Sequence, residues 1–376
     1  MYDLIIRNAR LSDEQVVDIA LQNGRIADVG KVQGKAQRER DLAGRYYLSA
    51  GWIDSHVHCY PKSPIYHDEA DAIGVAYGVT TVVDAGSTGA EHIDDFYQLT
   101  RAAQTQVYAL INIARTGIVT QNELADMAQI DGEAVQQAVA RLPDFIVGLK
   151  ARISSSVVGQ NGVQPLIKAK SIQQESGGLP LMVHIGNNPP SLDEIADLLT
   201  TGDIITHCFN GKPNRILTSQ GELKAAVKQA IARGVRLDIG HGSASFSFEV
   251  ARAAIAQGIL PDTISSDIYC RNRLAGPVHS LAHVMSKFFS VGMTLSQVID
   301  CVTVNAAAGL RLLRKGQLKV GYDADLTVFS VKEEARPFID SEGEEVTGEK
   351  HLVPLAAVVA GTWIATEEGI AHDLGL

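Results

Sequence analysis

Between residues 51 and 267 the chain carries eight short apolar runs separated by stretches of helical periodicity. That alternation restricts the fold more than any other feature. The runs are 51–58, 79–85, 107–114, 145–150, 181–185, 203–207, 235–240 and 263–267. Segments 191–199, 221–233 and 248–257 read as connecting helices. Repeated strand–helix units build a parallel sheet covered by helices. Eight of them predict an α/β fold, specifically a (β/α)8 TIM barrel. A doubly wound sheet competes with it, but no Gly-rich phosphate turn follows an early strand.

The two ends have a different texture. Leu4–Ile6, Val16–Ala20 and Arg25–Val29 are short β-type runs divided by turn formers such as Asn23-Gly24. After a helical region at 294–313, β-rich runs return at 324–329 and 355–360, flanking the acidic stretch Asp340–Glu345, which reads as a solvated loop. The expected organisation is a barrel over 51–319, with 1–50 and 320–376 pairing into one small discontinuous β-sandwich domain.

Charge and cysteine content narrow the function classes. Acidic residues number 43 against 33 basic ones, a formal charge of −10, which repels phosphate backbones and anionic lipid. Nucleic acid and membrane are therefore not expected partners. Cys59, Cys208, Cys270 and Cys301 are scattered and form no C-x-x-C pair, the usage of reduced thiols. The N-terminus meets charged residues too early for a signal peptide, so a cytoplasmic protein is expected.

Working residues of a barrel gather where its strands end. The polar residues there are His56 and His58, Lys150, His184, His207, His241 and Asp267, so five of the eleven histidines share one rim. Residues i and i+2 of a strand face the same side, so His56 and His58 can serve one ion from a single rigid element. One strand-end histidine reads as a hydrogen-bonded core residue. Five would each need a separate buried partner, and metal ligation accounts for them together.

Lys150 is the unusual member, because an unpaired ammonium beside cations is repelled and costly to bury. Either it pairs with Asp267, or it is driven neutral and reacts with carbon dioxide. The product, N6-carboxylysine, is a carbamate able to bridge two divalent metal ions roughly 3.5–4 Å apart. Asp267 is then both a ligand and the catalytic proton acceptor for a water whose pKa Zn²⁺ lowers to around 7. Zn²⁺ suits a histidine-rich set, with Mn²⁺, Fe²⁺ and Co²⁺ as alternatives.

Neighbouring residues read as bystanders. Strand alternation turns Cys59 and Cys208 to the opposite face as packing residues. Tyr66, His67, His92 and His279 read as surface or cap residues, and His351 and His372 lie in the terminal β-rich region. Arg152, two residues past Lys150, faces the same mouth and suits a substrate carboxylate through a two-pronged contact. His241 is not needed as a ligand, and either binds substrate or orients a ligand. Asn272, Arg115 and Arg271 are further substrate-binding candidates with surface contacts as their competing explanation.

The motif Gly51-Trp-Ile-Asp54-Ser-His56-Val-His58 and the order His-x-His, Lys, His, His, Asp resemble the amidohydrolase superfamily, binuclear carboxylated-lysine subtype. Ala50 stands where that family often has Pro. The resemblance implies that His56, His58, Lys150 and Asp267 bind the more buried metal. It likewise gives Lys150, His184 and His207 to the more exposed one. Thr303–Ala307 resembles the family's post-barrel helix, and 316–326 its return into the β-sandwich. Asp84–Ser87, Lys150–Ser154 with Val157–Gly159, His207–Gly211, Asp238–Gly242, and Asp267–Tyr269 with Gly276-Pro277 are similar to the deacetylase branch, beside dihydroorotase-like proteins.

The resemblance implies a metal-dependent hydrolase cleaving an acyl ester or amide of a small hydroxy acid or amino acid by a metal-bridging hydroxide. It also implies a homo-oligomer. The alternatives are a cyclic-amide hydrolase of dihydroorotase or hydantoinase type, and a non-catalytic barrel scaffold. A mononuclear deaminase has no use for the bridging position of Lys150.

Overall fold

The computed structural model describes residues 1–374. It is a mixed α/β fold with a curled parallel sheet and a second, largely antiparallel one. The second sheet draws on both ends of the chain. Its strands are β1 (Tyr2–Arg10), β2 (Val16–Gln22), β3 (Arg25–Gly30), β4 (Ala36–Asp41), β5 (Tyr47–Ala50) and, from the far end, three more. The parallel sheet comprises β6 (Trp52–Val57), β7 (Val79–Ala85), β8 (Gln106–Asn112), β9 (Ile146–Ile153), β10 (Leu181–Ile185), β11 (Ile204–Thr206) and β12 (Arg236–Leu237). The chain then returns to the first sheet with β13 (Leu326–Ile339), β14 (Glu345–Val359) and β15 (Thr362–Ala365).

The parallel strands run in sequence order, and β6 and β7 are buried along their whole length. Burial on both faces is what near-continuous apolar runs require, with helices on the outside. Those helices include Leu192–Leu198, Ala225–Ala232 and Phe248–Ala256. The first starts at Ser191, whose hydroxyl accepts from the Glu194 amide while Glu194 reaches back, a complete capping box. The 294–313 region is broken into Leu295–Asp300 and Val304–Gly309.

Segment 263–267 forms no ladder. It makes isolated parallel bridges, Asp238 to Thr263 on one side and Val57 to Ile268 on the other. The Asp267 amide donates to the His56 carbonyl at 2.7 Å, and the His241 amide to the Ser265 carbonyl at 3.1 Å. This last segment therefore touches both edge strands of the curled sheet.

In the terminal sheet the order is β15-β14-β13-β5-β1-β2-β3, with β4 parallel to β1. The two chain ends meet where Ser49 of β5 faces Thr327 of β13. Hydrogen bonding thus joins strands from both chain ends in one sheet. Alternation along β1 puts Leu4 and Ile6 into the main core of this sheet and Ile5 into a smaller cluster with Ala20 and Val32. Strand β4, Ala36-Gln-Arg-Glu-Arg-Asp41, has no apolar alternation, and its pairing with β1 alone holds it extended. Trp52 ties the sheets together: fully buried, it packs on Phe329 at 5.3 Å while its amide donates to the Thr327 hydroxyl.

The acidic stretch is not a freely solvated loop. Asp340 is buried at the tip of the β13–β14 hairpin, and its carboxylate accepts from the amides of Phe248, Glu342 and Glu344. Ser341 donates to the carbonyl oxygens of Phe246 and Gly242, through its amide and its hydroxyl respectively. The hairpin tip is thereby latched onto the loop that follows β12. Among the described residues no helix is long and apolar enough to cross a membrane.

Candidate metal centre

The ends of the parallel strands deliver the site. His56 lies in β6, with His58 just beyond it. Lys150 is in β9, His184 in β10, His207 directly follows β11, and Asp267 ends the 263–267 segment. Asp267 Oδ1 lies 3.2 Å from His56 Nε2 and 3.0 Å from His58 Nε2. His207 Nε2 lies 2.9 Å from His184 Nδ1, and donor atoms of His56, His207 and Asp267 all fall within 4.8 Å of one another. Two ligands about 2.0–2.1 Å from a tetrahedral zinc ion stand about 3.3 Å apart, so these donors already have ligand spacing.

Hydrogen bonds behind the rings decide which nitrogen faces inward. Thr206 Oγ1 lies 2.8 Å from the Asp238 carboxylate, which can only accept, so the hydroxyl proton points there. The same oxygen, 2.9 Å from His56 Nδ1, must then accept the Nδ1 proton. The Nε2 lone pair of His56 is left facing the centre. His58 repeats the arrangement through the Ser87 hydroxyl, which donates to Asp84 and accepts from Nδ1, both at 2.8 Å. For His207 the acceptor is the Gly240 carbonyl, 2.6 Å from Nδ1. Three imidazoles are thus held as the tautomer that metal ligation needs.

The electrostatics agree for His58, His184 and His207. Burial pushes the His207 imidazole down to about 3 and His58 and His184 below their ordinary range, so these rings stay neutral. His56 is raised, because Asp267 and Asp238 outweigh its burial and the Lys150 charge. Asp267 remains ionised: burial would raise its pKa, but His56 and His58 hold it well below the usual carboxylate range.

Lys150 is fully buried, and that burial lowers its pKa to about 8. Its Nζ donates to the Ala85 carbonyl at 3.0 Å and lies 3.4 Å from His56 Nε2. Among the described residues it forms no ion pair with Asp267, so the ion-pair alternative is not realised. Gly86 makes room for its stem: at φ +85°, a Cβ there would sit 2.6 Å from Lys150 Cγ. A dry, readily neutralised amine inside a ring of aimed lone pairs fits a carbamate and a pair of cations.

Backbone strain concentrates at the same place. His207 (φ +63°) and Asp267 (φ +53°) both adopt the left-handed conformation, costing about 1–3 kcal/mol each for non-glycine residues. Asn272 secures Asp267 by donating through Nδ2 to its carbonyl at 3.0 Å, while its Oδ1 accepts from the Tyr269 amide. Asn272 is thus occupied within the protein, although it lines the cavity.

Two other expected contacts change character. Arg152 lines the cavity, but its Nε and Nη2 are taken by buried Glu123 at 2.6 and 2.5 Å, so the two-pronged face is not free for a substrate. His241 is fully buried and turned away from the mouth: Nδ1 donates to the Gly242 carbonyl, and Nε2 accepts from Lys287 Nζ at 2.9 Å. Neither reading of His241, substrate contact or ligand orienter, matches those partners. Arg115 pairs with Glu91 at the surface. Of the residues that orient the ligands, Asp84, Ser87 and Asp238 fall in segments that resemble the deacetylase branch, whereas Thr206 carries no sequence signal beyond its nearness to a strand end.

The cavity in front of the cluster holds about 220 Å³. Pockets for drug-sized ligands span roughly 300–1,000 Å³, so this one suits a small molecule. Tyr66 and Tyr269 form one wall, edge to face at 4.9 Å.

Comparison with known proteins bears on this site. A family model described as a deacetylase-like composite domain matches residues 318–363. A deacetylase of Enterococcus faecalis is 46% identical over 96% of this chain and 98% of its own length. A crystal structure described as an adenine deaminase superposes with a TM-score of 0.96 at 45% identity, covering 97% of this chain and all of that one. Another, described as a dihydroorotase, gives 0.89 at 35% identity over 97% of this chain and 99% of that one.

Proposed function

The chain belongs to the deacetylase-like family of the amidohydrolase superfamily and is a hydrolase, and from that premise we propose that it cleaves the acyl ester or amide bond of a small acylated hydroxy acid or amino acid, acetyl above all. The observation that carries the reading is the set of inward lone pairs on His56, His58 and His207 around ionised Asp267 and buried Lys150. His56, His58, Lys150 and Asp267 would hold one divalent cation, and Lys150, His184 and His207 a second, with Lys150 as N6-carboxylysine. Zn²⁺ is the expected metal. Two such cations, when bound, would supply hydroxide near neutral pH and polarise the scissile carbonyl.

The protein's own groups do the rest. Asp267 takes a proton from the attacking water at its carboxylate and returns it to the departing oxygen or nitrogen. Asn272 keeps that carboxylate in place through the Asp267 carbonyl. Thr206, Ser87 and the Gly240 carbonyl keep the rings from turning. Tyr66 and Tyr269 narrow the mouth and limit water.

The same reading takes 51–319 as a closed (β/α)8 barrel with 263–267 as its last stave, and 1–50 with 320–376 as one accessory β-sandwich domain. It describes a cytoplasmic homo-oligomer acting on small molecules, with neither nucleic acid nor membrane as partner.

The second reading is a cyclic-amide hydrolase, favoured by the likeness to a structure described as a dihydroorotase. The test is a parallel assay of zinc-loaded and metal-stripped protein on O-acetyl hydroxy acids, N-acetyl amino acids, dihydroorotate, hydantoin and adenine. Metal-dependent release of acetate from the acyl substrates is expected. Ring opening or deamination without acetate release would overturn the proposal.

A further inference from the structure

The cavity wall carries four residues of formal charge: Lys150, Arg152, Lys212 and Asp267. Three of them are accounted for. Burial drives Lys150 toward neutrality, Glu123 closes a two-pronged pair on Arg152, and Asp267 lies between two histidines. Lys212 is different. It follows β11 by a few residues, on the loop that continues from His207, and its side chain is half-buried in the cavity wall. Among the described residues no carboxylate lies within 4.0 Å of its ammonium, and its Nζ makes no hydrogen bond. Burial pulls its pKa down, and Glu342 acts on it only at longer range.

A half-buried cation without a partner is costly unless something periodically pairs with it. Here it faces the cavity, near enough to influence His184 electrostatically. Its loop is anchored independently of the side chain: the Lys212 amide donates to Asn210 Oδ1, and the Lys212 carbonyl accepts from Arg215 Nε. The ammonium is therefore presented on a fixed backbone, with its charge uncommitted.

We propose that Lys212 is the specificity residue that binds the carboxylate of the substrate's acid portion, the role that Arg152 cannot fill while Glu123 holds it. The inference rests on the hydrolase reading and deepens it: the substrate is a small acylated acid ionised as a monoanion. One ammonium in a cavity also lined by neutral hydroxyls, Ser154, Ser156 and Ser245 among them, matches a single negative charge. A phosphate dianion calls for more charged donors than this wall provides.

The experiment compares acids with their primary amides: O-acetyl-lactate against O-acetyl-lactamide, and N-acetylalanine against N-acetylalaninamide, both enantiomers of each. It uses wild-type, Lys212→Met and Lys212→Arg proteins, each checked for metal content. Hydrolysis is followed by acetate release, and binding of lactate and lactamide by calorimetry. A charge-assisted hydrogen bond corresponds to about a 10- to 150-fold effect. Wild type should therefore prefer the acid over the amide by that factor, in binding and, through KM, in kcat/KM. Lys212→Met should bring the ratio near one, and Lys212→Arg should keep most of it. Equal handling of acid and amide by wild type, or an undiminished preference in Lys212→Met, overturns the assignment. An acid preference in binding with no acyl hydrolysis by metal-loaded protein would sink the hydrolase reading and leave the carboxylate site standing.

Discussion

Ser87→Ala isolates the claim that hydrogen bonds behind the histidines prepare the site. The Ser87 hydroxyl sits 2.8 Å from both His58 Nδ1 and Asp84 Oδ2, so the substitution removes two bonds and one oxygen's worth of volume. Asp84 keeps the amides of Cys59 and Ser87 as donors, so its own environment is largely preserved. His58 loses its only Nδ1 partner and becomes free to carry its proton on either nitrogen. Loss of such a partner costs roughly 10- to 100-fold in metal affinity, equivalent to about 1.4–2.7 kcal/mol. Competition with a fluorescent zinc chelator measures this directly, beside Ser87→Ala activity at saturating zinc. The adjacent Thr88 provides a control. Its hydroxyl is buried without a partner, so Thr88→Val should leave zinc affinity alone and hold or raise thermal stability. Zinc affinity of Ser87→Ala within twofold of wild type would refute the argument.

Three other substitutions probe separate parts of the molecule. Gly86→Ala places a methyl group 2.6 Å from Lys150 Cγ at a left-handed backbone position, so the carbamate signal in ¹³C NMR under labelled carbon dioxide should vanish together with activity; a retained signal contradicts the packing argument. Arg152→Met strands buried Glu123 and should cost about 3–5 kcal/mol in denaturant unfolding, with much of that loss recovered in the double variant Arg152→Met/Glu123→Gln; additive losses would deny the pairing. Lys287, lowered to about 7 by burial, binds no proton in the folded state between about pH 7 and its unfolded value near 10.4, whereas the unfolded chain does. Stability relative to Lys287→Met should therefore rise with pH across that window, and a flat difference would show that Lys287 titrates normally.

Much of the cluster is readable in the sequence because two simple regularities hold where the strands are regular. His56 and His58 share a face by the two-residue period, and Lys150 and His184 lie within true ladders, β9 paired to β10. The regularities fail where the backbone leaves the sheet. Gly240, at φ +46°, swings the main chain before His241, so a strand-end position becomes a buried partner of Lys287. Asp267 reaches the centre through a left-handed turn that no propensity suggests. Arg152 reads as available in the sequence because its partner Glu123 lies 29 residues away in a loop, and long-range pairing of that kind leaves no local pattern. Strand β4 is hidden for the same reason: Arg38, Glu39 and Arg40 are extended only because β1 is beside them. The acidic tip at Asp340 looks like a charge run bound for water, whereas its first carboxylate is buried and held by three backbone amides.

The latch at Asp340 has a consequence for how the protein is made. A ribosome releases the histidines of the rim long before residue 340, yet the loop from Gly242 to Phe248 has its anchors in Asp340 and Ser341. That loop can acquire these hydrogen bonds only after the β13–β14 hairpin has been synthesised. The place of the hairpin in the sequence therefore makes fastening this loop a late event in the making of the protein.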